Sequence, residues 1–113
     1  MEKKDLGKSS TGIEPNMAAL LCYLVGWVSG IVFFLIEKEN KFVRFHAYQA
    51  VVVFGFFTAL GFLLMWVPVI GWAMLPVLYL LEFALWIVLM VKAYQGERFK
   101  LPVAGDIAEK QAA

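Results

Sequence analysis

The sequence predicts an all-α integral membrane protein with three transmembrane helices, a short external turn and a polar C-terminal tail. Two uncharged tracts and the overall composition carry this prediction. From Phe45 to Leu81 the chain runs 37 residues without Asp, Glu, Lys or Arg, and residues 15–36 form a second uncharged stretch. A helix rises about 1.5 Å per residue, so roughly 20 apolar residues cross a hydrocarbon layer of about 30 Å. Charged residues make up 17% of the chain and mean hydropathy is +0.75. A soluble domain has about 25% charged residues and no need of apolar tracts this long.

The first apolar segment, Met17 to Ile36, follows a polar segment over residues 1–16. At 20 residues it is longer than the h-region of a cleaved signal peptide, so it reads as a permanent span over about 17–36. Pro15 suits a first helical turn, where its missing N–H has no partner to lose, and Asn16 or Thr11 supplies a nearby cap. The tract before Cys22 does not read as a lipoprotein cleavage site, because Leu21 is too bulky for the residue before such a cut. Cys22 is the single cysteine, which excludes an internal disulfide and a cysteine-based metal cluster and leaves it as a small buried hydrophobe.

The long uncharged region is too long for one span and breaks at Val67-Pro68-Val69-Ile70-Gly71, where proline and glycine both punctuate helices. This gives a second helix over about 42–67 and a third over about 72–94, closing a transmembrane domain over 17–96. Gly96 offers a left-handed cap for the last helix. Residues 97–113 form a polar tail with scattered apolar positions that either folds back on the membrane surface or stays mobile.

With three spans, Lys3, Lys4 and Lys8 share one side with the 68–71 turn. Lys38, Lys41, Arg44, Lys92, Arg98, Lys100 and Lys110 take the other. Positive charge favours the cytoplasm, so the expectation is a multi-pass cell-membrane protein with its N-terminus outside and its C-terminus cytoplasmic. Trp66 and Trp72 flank the external turn as interface anchors, Tyr94 suits the cytoplasmic border, and Trp27 and Trp86 sit deep enough to pack between helices.

Three groups of residues are candidates for function. Ala18, Cys22, Gly26 and Gly30 recur every four residues, and Gly26 to Gly30 is a GxxxG; Ala47, Val51, Gly55 and Ala59 make a similar stripe on the second helix. Small residues at this spacing let helices approach closely, within the chain or across a homo-oligomer seam. Glu82 lies near the middle of the third helix, where an ionised carboxylate costs at least about 2.5 kcal/mol. Thr58 and Ser29 lie at similar depth and are potential partners. Glu82 reads either as a neutral structural acid joining three helices or as an ion or proton site, or the polar lining of a pathway. Lys41 to Gln49 is the third group. Phe45 shares a helical face with Gln49 and Arg44 with Tyr48, and Arg44 and Lys41 reach toward lipid phosphates. His46, the single histidine, has no Cys, Asp or Glu at ligand spacing; the 94–97 region or lipid headgroups are its expected hydrogen-bond partners.

No metal site, cofactor site, Ser/His/Asp set, phosphate loop or pair of catalytic carboxylates is visible, so the chain reads as a non-enzyme. A net charge of +1 without a basic stripe excludes a nucleic-acid partner. The expected partners are the lipid bilayer and other membrane proteins, including further copies of this chain. The leading function is a structural or interaction subunit of a membrane assembly; the alternative is a small oligomeric channel or transporter with Glu82 in a polar pathway.

Thr11-Gly12, Asn16, the run Leu24 to Gly30, the run Glu37 to Ala47, Lys92 to Glu97, and Leu101-Pro102 together carry a family resemblance. Nearly the whole chain resembles small uncharacterised prokaryotic membrane proteins grouped with the Tic twenty-kilodalton component of the chloroplast inner-envelope import complex. That resemblance implies a multi-pass membrane protein working inside a larger assembly, with no activity assigned to particular residues.

Overall fold

The computed structural model describes residues 12–97, 100–101 and 104–112, and all regular structure among them is helical. Five helices follow in order: α1 (Pro15–Leu24), α2 (Trp27–Ile36), α3 (Lys41–Met65), α4 (Ile70–Tyr94) and α5 (Ala104–Ala112). The N-terminal lysines and Arg98 lie outside the described residues.

The two long helices form an antiparallel pair. Each has 25 residues, about 37 Å at 1.5 Å per residue, which is long enough to cross a bilayer. The structure starts α3 one residue before the expected boundary and ends it two earlier, at Met65; α4 begins at Ile70. Asn40 caps α3 by accepting the Val43 N–H at 3.1 Å. Between the helices, Val69 turns the chain with φ of 67°, a value that a β-branched residue rarely adopts. Gly71 sits so close to the Leu64 carbonyl that a Cβ there would overlap it. At the far end, Gly96 takes φ of 81° and terminates α4, with its N–H on the Ala93 carbonyl and the Glu97 N–H on the Lys92 carbonyl.

The first apolar segment corrects the expectation of one continuous helix over 17–36. It is two ten-residue helices separated at Val25 and Gly26, each about 15 Å long and too short to cross a bilayer alone. They fold back on each other, and their contacts fix the direction of both arms. Asn16 at the start of α1 donates to the Tyr94 carbonyl at the end of α4 (3.2 Å). Tyr23, near the end of α1, reaches Phe54 and Trp86. Gly26 sits on Phe54, about halfway along α3. The chain then returns, with Gly30 against Ala47, Ala50 and Val51, and Phe34 against Tyr48. The hairpin therefore begins and ends level with Lys41 and Tyr94, and its tip reaches the middle of the long pair.

Glycine is required at both positions. Gly26 has φ of 63°, which side-chain-bearing residues avoid. A Cβ on Gly30 would lie 2.8 Å from the Ala47 carbonyl oxygen and 3.0 Å from the Ala50 Cβ. Ser29 staples the turn: its hydroxyl donates to the Cys22 carbonyl (2.8 Å) and accepts the Val25 N–H (3.0 Å). That satisfies groups a broken helix would leave bare in an apolar setting.

The tail folds back rather than hanging free. Helix α5 lies on α3, with Ala108 buried against Phe45 and Tyr48, while Asp106, Glu109 and Lys110 face outward. All five helices thus gather at one half of the long pair, termed here the base. The core sits there, in residues such as Ala18, Cys22, Val43, Ala50, Phe54 and Leu89. The other half holds α3 and α4 alone.

Candidate functional site

The densest polar constellation lies inside the base, where α1, α3 and the tail meet. Tyr23, His46 and Gln49 are all fully buried there. The Tyr23 hydroxyl lies 2.7 Å from His46 Nδ1, Gln49 Nε2 donates to that hydroxyl at 3.0 Å, and His46 Nε2 lies 2.9 Å from the Glu97 carbonyl. A carbonyl oxygen only accepts, so Nε2 carries the proton. Nδ1 then accepts from Tyr23 in the neutral imidazole. The Gln49 side-chain oxygen accepts the Leu101 N–H at 3.1 Å. Phe42, Phe45 and Tyr23 surround the imidazole edge to face, with ring centroids 4.7 to 5.5 Å away. On the other side of Tyr23, the Trp86 indole donates to its backbone carbonyl at 2.7 Å. One connected set of hydrogen bonds thus joins α4, the hairpin, α3 and the tail.

A second constellation shapes the base surface. Arg44 Nη1 donates to the carbonyls of Phe34 (3.0 Å) and Glu37 (2.6 Å), and its guanidinium lies 4.1 Å from the Phe34 ring centroid. It therefore closes the C-terminus of α2, where exposed carbonyls favour a cation. Glu37 is fully buried, with Oε2 accepting the N–H groups of Glu39 (3.2 Å) and Asn40 (3.1 Å). These contacts explain the acid, the asparagine and the arginine in Glu37-Lys38-Glu39-Asn40-Lys41-Phe42-Val43-Arg44: they build the turn from α2 into α3. Exposed Lys38 and Lys41 border an open recess of about 540 Å³ beside Arg44.

The residues named from sequence fall into distinct places. His46 and Gln49 belong to the buried network, and Arg44 engages backbone carbonyls. Ala18 and Cys22 are buried in α1, and Gly30 lies against α3. Gly55 has nothing within 4 Å of a Cβ position, and Ala59 is exposed. Glu82 is half-buried at the centre of α4, beside Gly26, Phe54, Tyr79, Phe83 and Trp86 around a pocket of about 300 Å³. Ser29 is engaged in the hairpin turn with Cys22 and Val25, Thr58 is exposed on α3, and neither hydrogen-bonds Glu82. Sequence reasoning missed Tyr23 and Glu37. A tyrosine inside an apolar tract and an acid at its edge were the available signals, but their partners lie across the fold or are backbone groups. Among the described residues, no three of His, Cys, Asp and Glu gather as metal ligands.

Residues 14–108 match the magnetosome magnetite crystal formation protein family. A UPF0132 membrane protein of Methanocaldococcus jannaschii is 50% identical over 105 residues, covering 93% of this chain and 94% of the relative. A second from the same organism is 44% identical over 99 residues (88% and 71%). One from Archaeoglobus fulgidus is 46% identical over 99 residues (88% and 96%). Neither the family nor these relatives carries the Tic name, and no solved structure matches the chain. With 95 of its residues inside the match, the chain belongs to the magnetosome magnetite crystal formation protein family.

Proposed function

We propose that this chain is a non-enzymatic membrane subunit, built from two full spans and a helical hairpin that enters the bilayer halfway. The observation that carries the reading is the engagement of Tyr23, His46, Gln49, Arg44 and Glu37 in holding the hairpin, the spans and the tail together. The side chains best suited to chemistry are committed to structure. A platform whose charged residues of both signs gather at one end fits a scaffold or interaction part of a membrane assembly. The resemblance to the Tic component leads to the same class of role. In this reading, a chain of this build would contribute scaffold to an assembly of the kind named in the family description.

The hairpin changes the proposed topology. Both of its ends lie at the base, so the segment before Pro15 joins the molecule there. All ten Lys and Arg residues then belong to segments attached to the base, and none to the 66–69 turn. The positive-inside rule places the base, with both termini, in the cytoplasm. This replaces the expected external N-terminus.

Single cysteines at Ser9, Glu39, Val69 and Ala112, in a Cys22→Ala background, test the placement in intact cells with an impermeant maleimide. Only the cysteine at position 69 should react. Reaction at both 9 and 69 would restore three spans and refute the half-way hairpin.

A channel or transporter is the second reading, favoured by the position of Glu82 beside the hairpin tip at Gly26. Cation or proton flux through liposomes containing the protein, lost in Glu82→Gln, would establish it.

A further inference from the structure

The two halves of the long helix pair treat their polar side chains differently. In the base, Tyr23, His46, Gln49 and Trp86 are all hydrogen-bonded within the chain. Near the middle and toward the 66–69 turn, Thr58, Tyr79 and Glu82 are not: none of the three has a hydrogen-bond partner in its own chain among the described residues. Thr58 and Tyr79 are exposed and Glu82 is half-buried. Their depths are close. Trp86 and Phe54 both meet Tyr23, and Glu82 and Thr58 each lie four residues further toward the turn, about 6 Å along antiparallel helices. Tyr79 follows one turn beyond Glu82, level with Gly61, where its hydroxyl lies 3.5 Å from a Cβ position. Hydrocarbon offers none of these groups a partner.

We propose that Glu82 and Tyr79, with Thr58 at the same depth, form the seam at which a second copy of this chain docks, the two Glu82 carboxyls at its centre. This rests on the membrane placement given above. A copy inserted in the same orientation presents these groups at matching depth, which an unrelated partner has no reason to do. A two-fold axis along the membrane normal brings like residues together, and a neutral carboxyl is self-complementary, donating one hydrogen bond and accepting another. The hydroxyls of Tyr79 and Thr58 add donors and acceptors around the pair. The open pocket that Glu82 lines with Gly26 and Phe83 leaves space beside its carboxyl.

Dimerisation of the full-length protein in lipid nanodiscs or mild detergent, read by energy transfer between labelled copies, tests the seam. Wild type should dimerise, and Glu82→Gln, which keeps a donor and an acceptor, should stay close to it. Glu82→Leu should weaken association by about 3- to 18-fold for each hydrogen bond lost, from the average to the largest such contact measured in membranes. It should keep its helix content, since leucine suits hydrocarbon. A monomeric wild type, or a Leu variant that associates as tightly as wild type, would overturn the proposal. Reaction of a monomeric Glu82→Cys protein with an impermeant reagent would overturn it in favour of a water-filled recess. The labelling pattern at positions 9, 39, 69 and 112 reads topology in monomer and dimer alike, so failure of the seam is distinguishable from failure of the placement.

Discussion

Removing one oxygen atom tests whether the buried network holds the molecule together. Tyr23→Phe keeps the ring, its edge-to-face contacts with His46 and Phe54 (centroids 5.5 and 6.2 Å), and the backbone carbonyl that Trp86 binds. It deletes the hydroxyl that donates to His46 Nδ1 and accepts from Gln49 Nε2. The imidazole gains nothing by shifting its proton, because Nε2 must donate to the Glu97 carbonyl. The substitution takes one hydrogen-bond partner from each of two fully buried side chains, His46 and Gln49. A buried hydrogen bond contributes about 0.5–1.5 kcal/mol in protein interiors, and those measured within membranes average about 0.6 and reach about 1.7 kcal/mol. Two lost bonds therefore give a destabilisation of about 1–3 kcal/mol. Reversible unfolding in mixed micelles measures it directly. A second readout follows from Gln49, whose oxygen holds the Leu101 N–H: protease should cut between residues 97 and 104 faster than in wild type. Unchanged unfolding together with unchanged cleavage would show that the network does not couple the hairpin to the tail, and the scaffold argument would lose its main support.

The close approach at Gly30 gives a second prediction. Gly30→Val forces atoms into the Ala47 carbonyl and Ala50, and overpacking of this kind costs about 1–3 kcal/mol, read as a lower melting temperature in detergent. Arg44→Lys keeps the charge but loses the planar guanidinium, whose Nη1 donates to two carbonyls and whose face stacks on Phe34; a loss of about 1 kcal/mol is expected in the same assay, and wild-type stability would remove the α2 cap from the account. Glu37→Ala removes the carboxylate oxygen that accepts the N–H groups of Glu39 and Asn40 and should cost about 1–2 kcal/mol, while Glu37→Gln, which retains an acceptor oxygen, should recover most of it.

Much of the architecture follows from the sequence alone. Length and hydropathy define α3 and α4, because an uncharged tract of 37 residues bounded by charge has to fold as apolar helix. Pro68 and Gly71 mark where it turns, and Gly96 marks where it ends. Asn40 and the charges around it announce the start of α3. The break at Gly26 was not legible in the same way. A hydropathy window reports how much apolar chain is present and carries no information about its direction, and glycine is common in continuous membrane helices. What reverses the chain is tertiary: φ of 63° at Gly26, the Ser29 hydroxyl on Cys22 and Val25, Phe54 beneath the turn, and Gly30 admitted against the α3 backbone. The pairing of Tyr23 with His46 and Gln49 is equally non-local, linking residues 23 and 26 positions apart. Periodicity places side chains on faces of single helices. Which faces meet, and which polar groups find partners there, is decided by packing.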